Sequence, residues 1–326
     1  MRLGRNFGWL IVIVVAFLIP LLLHDSQYFL SVFVMCLINV LLTSSLRSTA
    51  STGQVSLGIM AFMGIGAFTS ALLMMKLSFP IWAALPLAGL AAMAVAAVIG
   101  FPFVRVTGLY FAMVTLFFCE VIRLILTQWR TMTGGSTGIV NIPSVGTISV
   151  LGLNINFSHI LPYSYFALFV TVVSLLILYR IDRSHLGTHF ASIGQDESVA
   201  ESIGINVIWF KVFSFCIGCF FAGVAGSLYA HFLTVLYPDV FSIFPSIYIL
   251  IYMVAGGRKS FIGPILGAII LTVIPELFLS LKTYQPFIYV AFLYIVLYSM
   301  PGGLVTLPGI IGARFATMRQ ARLRND

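Results

Sequence analysis

Glu120 and Arg123 stand three residues apart in an otherwise apolar run. On a helix that spacing puts opposite charges on one face, within reach of each other. A lone charge at mid-bilayer costs about 2.5–3.5 kcal/mol on insertion scales, so the two must pair or face the protein interior. Two uses are open: a structural ion pair, or a charged point on a path for a solute. A second group of charges is denser. Asp196, Glu197 and Glu201 fall within Asp-Glu-Ser-Val-Ala-Glu-Ser-Ile-Gly. This reads as a short helix with Asp196 or a neighbour at the N-cap, acids in its first turn and Gly204 just past its end. Val199 and Ile203, four apart, share a face with Ala200 beside them. Two turns cannot persist alone in water. The helix must either lie on its own domain or offer that apolar strip to a partner, which is recognition chemistry rather than catalysis.

Other chemistries fail on spacing. Gly256-Gly257-Arg258-Lys259-Ser260 looks like the end of a phosphate-binding loop, but that loop needs Gly where Arg258 and Met253 stand. The five His and nine acidic residues form no metal-ligand pattern. Glu276, after Pro275, reads as a helix-end feature rather than a proton relay. Cys36, Cys119, Cys216 and Cys219 lie in apolar runs; the last two, three apart, read as small core residues and not as a redox pair. No cofactor is expected.

The elements that must position these residues are membrane spans. Sixty per cent of the 326 residues are hydrophobic, 8% are charged and the mean hydropathy is +1.10. A soluble domain carries about 25% charged residues, so the fold class is an all-α polytopic membrane protein. About ten spans (8–10) are expected: 7–23, 27–42, 53–75, 81–104, 109–126, 160–179, from about 211 to 230, 246–255, 261–281 and 286–300. The first resembles a signal peptide, but no small-residue cleavage site follows it, so it reads as a retained span.

With both termini cytoplasmic, cations fall unevenly. Arg2, Arg5, Arg47, Arg105, Arg180, Arg183, Lys211, Arg258, Lys259, Arg314, Arg319, Arg322 and Arg324 are inside, whereas Lys76, Arg130 and Lys282 are outside. This positive-inside bias accounts for the net charge of +8 without nucleic acid. Residues 127–159 become an outer, periplasmic loop, 180–210 a cytoplasmic loop and 309–326 a basic cytoplasmic tail around one permease domain, 1–326. Within the spans, Gly218, Ala222 and Gly226 at intervals of four, and Gly263 and Gly267, allow backbones to approach closely. Tight packing and a mobile pore helix are both consistent with them. In the outer loop, Thr133, Gly134, Gly135 and Ser136 offer amides and hydroxyls to a docking partner, or form a plain turn.

Several of these stretches together resemble the LivM-type permease subunits of branched-chain amino-acid ABC importers. They are Gly53-Gln54-Val55-Ser56-Leu57-Gly58 followed by Ala61-Phe62 and Gly64-Ile65-Gly66-Ala67; Gly108 to Leu116 continuing to Glu120-Val121-Ile122-Arg123; Leu126 to Pro143; Ser192 to Val207; and Val254 to Gly257 with Ile262 to Ala268. They cover roughly residues 40–300 in order. Two departures stand out. Gly194-Gln195-Asp196 occupies a place where the family often has Arg-Glu-Asp, and Gly-Gly-Arg-Lys-Ser replaces Gly-Gly-X-Gly-Ser.

The resemblance implies a multi-pass inner-membrane protein. Its partners would be a LivH-like second permease, two ABC ATPase subunits that bind the ATP, and a periplasmic substrate-binding protein, besides membrane lipid. It makes 180–210 a coupling loop, with Asp196, Glu197, Val199, Ala200, Glu201, Ile203 and Gly204 meeting the ATPases. Gln54, Ser56, Gly58, Gly64, Glu120 and Arg123 become candidates for the path, Gly53, Gly58, Gly64 and Gly66 serving as hinges or close-contact points. Thr133, Gly134, Gly135 and Ser136 become candidates for periplasmic docking. A self-contained secondary transporter or channel for a small polar solute is the alternative. A membrane enzyme would need a convergent catalytic set, and none is present.

Overall fold

The computed structural model describes residues 17–21, 26–143, 147–150, 153–156, 159–258, 260–277, 294 and 303–304. Six helices among them are long and apolar enough to cross a membrane. They are α1 (Gln27–Ala50), α2 (Ile59–Leu77), α3 (Ile81–Phe103), α4 (Leu109–Gln128), α5 (Ile160–Asp182) and, after two short helices, Val207–Leu233. The short ones are α6 (His185–Gln195) and α7 (Glu197–Ser202), so Val207–Leu233 is α8. Two shorter apolar helices follow, α9 (Ile243–Gly256) and α10 (Ile262–Leu277). The expected spans at 7–23 and 286–300, and the tail 309–326, lie almost entirely outside the described residues.

Helix α8 is the hub, packing on α1, α2 and α3. Close approach is what its small residues provide. A Cβ on Gly218 would stand 2.6 Å from Thr49 Oγ1 and 2.8 Å from the Ser45 carbonyl of α1. One on Gly223 would meet Ala88 and Ala92 of α3, and one on Gly226 would overlap the Met63 carbonyl of α2. Ala222 is fully buried. The small-residue spacing therefore serves tight packing here. Gly263 and Gly267 do the same for α10 against Gly256 and Tyr252 of α9.

Three boundaries differ from expectation. Helix α1 does not stop at Leu42 but runs through the polar stretch to Ala50. Its hydroxyls turn back onto the helix, Thr43 Oγ1 donating to the Asn39 carbonyl at 2.6 Å and Ser45 Oγ to Leu42 at 2.7 Å. Such bonds let Ser and Thr lie buried in a helix, and Ser214 Oγ of α8 caps the Ser48 carbonyl at 2.6 Å. The third span is helical only from Ile59. The outer loop is also more ordered than an all-α reading allows. It contains the turn Arg130–Thr133 and an antiparallel hairpin, β1 (Thr147–Val150) with β2 (Leu153–Asn156), pairing Thr147 with Asn156 and Val150 with Leu153. Thr-Ile-Ser-Val and Leu-Asn-Ile-Asn alternate polar and apolar residues, the strand period.

A buried segment, an ion-pair face and a surface helix: the candidate functional site

Between α1 and α2 the chain is non-helical and largely buried. Thr52, Gln54 and Ser56 are 2% exposed or less, and Gly58 is buried. Non-helical backbone at membrane depth survives only where protein satisfies its polar groups, and side chains do so here. Leu57 N donates to Thr115 Oγ1 of α4 at 3.0 Å, Gly58 N to Ser56 Oγ at 3.2 Å and Met60 N to Ser246 Oγ of α9 at 3.3 Å. Gln54 Nε2 donates to the Val104 carbonyl at 3.2 Å, while its Oε1 has no donor among the described residues. Gly58 is required because a Cβ there would lie 2.5 Å from the Thr115 carbonyl. Thr115 is six residues into α4, so this contact lies about 9 Å from the helix start.

Of the expected path residues, Gln54, Ser56 and Gly58 are thus brought together. Gly64 lies further along α2, where a Cβ would come within 3.0 Å of the Phe241 ring, and Gly66 abuts Gly223 of α8. These glycines, like Gly58, are close-contact points in this conformation. Gly53, with φ +84°, makes the turn into the segment.

Glu120 and Arg123 form a pair, as their spacing suggested, but not an isolated one. Arg123 Nε donates to the Glu120 carboxylate at 3.0 Å, and its Nη1 reaches Asp239 Oδ1 at 2.6 Å. Asp239 sits in the short 3-10 turn Pro238–Phe241 after α8, more than a hundred residues away in sequence. No local spacing could have pointed to it. The pair stands beside a row of exposed apolar side chains on α4, including Leu109, Met113, Phe117, Val121 and Leu124. Their period of three to four residues defines a face that the described chain leaves uncovered.

A deeper polar cluster was also missed. His231 of α8 donates from Nδ1 to the Pro143 carbonyl at 3.0 Å, which leaves Nε2 to accept from Ser70 Oγ at 2.8 Å; Ser70 also meets Ser227 at 2.8 Å. These bonds tie α2, α8 and the outer loop.

At the other end stand α6 and α7. Asp196 caps α7, accepting from Ser198 N at 2.9 Å and Val199 N at 3.2 Å. The Ser198 hydroxyl foremost, then the amides of Val199 and Ser198, holds its carboxyl below the usual range. Gly204 follows the helix with φ +84°. Ala200 is 1% exposed and packs with Ile193 of α6 and Val207 of α8, whereas Val199 and Ile203 are 58% and 69% exposed. The apolar strip is therefore divided: Ala200 anchors the helix on its own domain, and Val199 and Ile203 face outward. Glu201 is exposed, but Glu197 is not free, because it pairs at 2.6 Å with Lys211, whose side chain is 2% exposed. Sequence spacing shows Lys211 only as one more cation near the inner surface. Helix α6 itself carried no recognised signal.

In the outer loop, the four candidate docking residues divide. Thr133 is buried, its Oγ1 donating to the carbonyls of Leu126 and Trp129 at 2.6 and 2.7 Å. Gly135 is buried too, while Gly134 and Ser136 are exposed. Gly134, Gly135 and Gly138 all have positive φ, and Cβ atoms on Gly134 and Gly138 would overlap backbone carbonyls. The glycines are there for the turn. The turn is held to the core by the paired strand-like bonds between Ile139 and Leu236.

No group of three or more His, Cys, Asp or Glu able to hold a metal occurs among the described residues. The four cysteines are free and buried.

The profile of the family described as "Branched-chain amino acid transport system / permease component" matches residues 28–301. The chain is 31% identical over 277 residues to the high-affinity branched-chain amino acid transport system permease protein LivM of Salmonella typhimurium. It is 32% identical over 274 residues to its Escherichia coli counterpart. Each match covers 78% of this chain and 64% of the relative, so the chain spans less than two thirds of either LivM protein. The guanosine ABC transporter permease protein NupQ of Bacillus subtilis is 32% identical over 195 residues, 55% of this chain and 59% of that one. No solved structure matches.

Proposed function

This chain belongs to the branched-chain amino acid transport system permease family, and we propose that it is the LivM-like permease subunit of an ATP-driven importer for branched-chain or related amino acids in a bacterial inner membrane. It performs no covalent chemistry. It forms half of the translocation path with a LivH-like second permease, and two separate ATPase subunits bind the ATP. A periplasmic binding protein delivers the substrate.

The observation that carries this reading is α7. A capped six-residue helix is docked through Ala200 and presents Val199, Ile203 and the acidic Glu201 outward. A surface helix anchored on one side and apolar on the other suits a partner that must push on it, and no nucleotide motif in this chain supplies the energy itself. The inner side is the end carrying α7, Arg47, Arg105, Arg183 and Lys211; Lys76 and Arg130 mark the outer one. Ten spans with both termini cytoplasmic remain our reading of the topology.

The uncovered face of α4, with Glu120, Arg123 and Asp239 on it, is where we place the second permease and the path between the two. The Gln54 Oε1 acceptor, buried without a donor among the described residues, supports a place for Gln54 beside that path. Binding protein docks on the outer loop at Gly134 and Ser136. The longer match to the LivM proteins favours amino acids over nucleosides as substrate.

The test is reconstitution. The chain, purified in mild detergent with its co-expressed partners and placed in vesicles, should take up leucine only with ATP and binding protein. Uptake by the chain alone, driven by an ion gradient, would establish the secondary-transporter alternative.

A further inference from the structure

Helix α6 touches the rest of the chain through backbone rather than side chains at one place. Gly194, in its last turn, lies so close to the corner after α1 that a Cβ on it would overlap the Ser51 carbonyl and stand 3.2 Å from Gly53 N. From the other side, a Cβ on Gly53 would be 3.5 Å from Gly194 Cα. Both glycines are exposed, so this is a contact at the inner surface between two stretches of bare backbone. On one side of it, α6, α7 and the start of α8 form one packed unit through Ile193, Ala200 and Val207, and Glu197 pairs with Lys211. On the other side, the corner continues directly into the largely buried, non-helical segment that is bonded to Val104 and Thr115. Long side chains would absorb a small displacement by changing rotamer. Backbone against backbone, with no side chain between to change rotamer, has no such slack.

We infer that the Gly194 contact on Ser51–Gly53 is the mechanical link between the coupling loop and the buried 54–58 segment, so that movement of α7 shifts that segment against α4. Gly194 acts as a positioning residue. The inference rests on the ATP-driven reading above and goes beyond it by naming the route. Coupling between sites is carried through packed contacts and rigid elements, and chain connectivity from Gly53 to Gln54 continues the route.

The experiment uses the complete reconstituted importer and reads substrate transported per ATP hydrolysed. Gly194→Ala should lower that ratio by about tenfold, within the ~5–150-fold span usual for coupling between sites. Val98→Ala, at an exposed position on α3 outside the coupling loop, should leave it unchanged. An unchanged ratio in Gly194→Ala overturns the inference. Should that variant fail to assemble, the wild-type importer decides. Amide exchange of residues 52–58 should change together with that of 190–195 when the ATPases are trapped with vanadate. A change confined to 190–195 overturns the link. Failure of the underlying reading looks different, since wild-type uptake would then be independent of ATP.

Discussion

Glu197 illustrates how a residue's partner changes its meaning. Read alone it is a surface acid free to meet a partner, yet it neutralises a lysine whose side chain is 2% exposed. Leaving a buried charged donor unpaired costs about 1–3 kcal/mol or more. Glu197→Gln should therefore lower the melting temperature of the purified protein and loosen α7, and adding Lys211→Met should restore most of the loss. Glu201, exposed, should tolerate Glu201→Gln with no change in melting. Asp196 gives a pH-dependent counterpart. Its carboxyl is held below the ordinary 3.8 by the Ser198 hydroxyl and the amides of Val199 and Ser198. A group with a depressed folded pKa contributes stability above its unfolded pKa and loses it as pH falls through the folded one. Amide protection of residues 197–203 should hold steady between about pH 5 and 8 and fall below about pH 4. Asp196→Asn, which keeps the cap, should remove that fall, and Asp196→Ala should lose protection at every pH.

At the scale of elements, the 54–58 segment and the start of α2 depend on hydroxyls placed by two other helices, Thr115 of α4 and Ser246 of α9. Thr115→Val keeps the side-chain volume but removes the acceptor for Leu57 N. The orphaned amide should cost about 1–3 kcal/mol, read as a drop in melting temperature with helix content unchanged. Gly226 tests the helix packing, since a Cβ there overlaps the Met63 carbonyl. Gly226→Leu should cost about 1–3 kcal/mol or more by overpacking and reduce the yield of folded protein. Ile208→Leu, at an exposed position on the same helix, should not. Helix α1 makes the complementary point. Its polar second half looks like a loop by composition, but buried Thr43 and Ser45 close their own hydrogen bonds and the helix continues.

For the whole molecule the testable quantities are sidedness and assembly. The native cysteines are buried, so single added cysteines can be labelled without background. Thr188→Cys should react with an impermeant maleimide only in inside-out vesicles, and Ser136→Cys only in right-side-out ones. The same side for both would overturn the topology. Val199→Asp with Ile203→Asp places carboxylates on an outward apolar pair. We expect the chain to insert and melt normally while ATPase co-purification falls at least about tenfold, corresponding to roughly 1.4 kcal/mol or more of lost contact energy. Undiminished co-purification would move the ATPase contact elsewhere on the inner surface.

Hydropathy and local spacing were enough to identify a multi-pass membrane protein, the short helix α7 with its acidic first turn and its end at Gly204, and Glu120 and Arg123 as neighbours on one helix face. All of these are decided within one helix turn or by transfer from water to lipid, so neighbouring residues carry the information. The tertiary structure alone decided that Arg123 also binds Asp239, that Lys211 holds Glu197, that the non-helical Gln54–Gly58 segment is largely buried, that small residues pack α8 tightly, and that Val199 faces out while Ala200 faces in. Each of these depends on which distant segment supplies the missing hydrogen bond, charge or apolar surface. That is settled only when the helices pack.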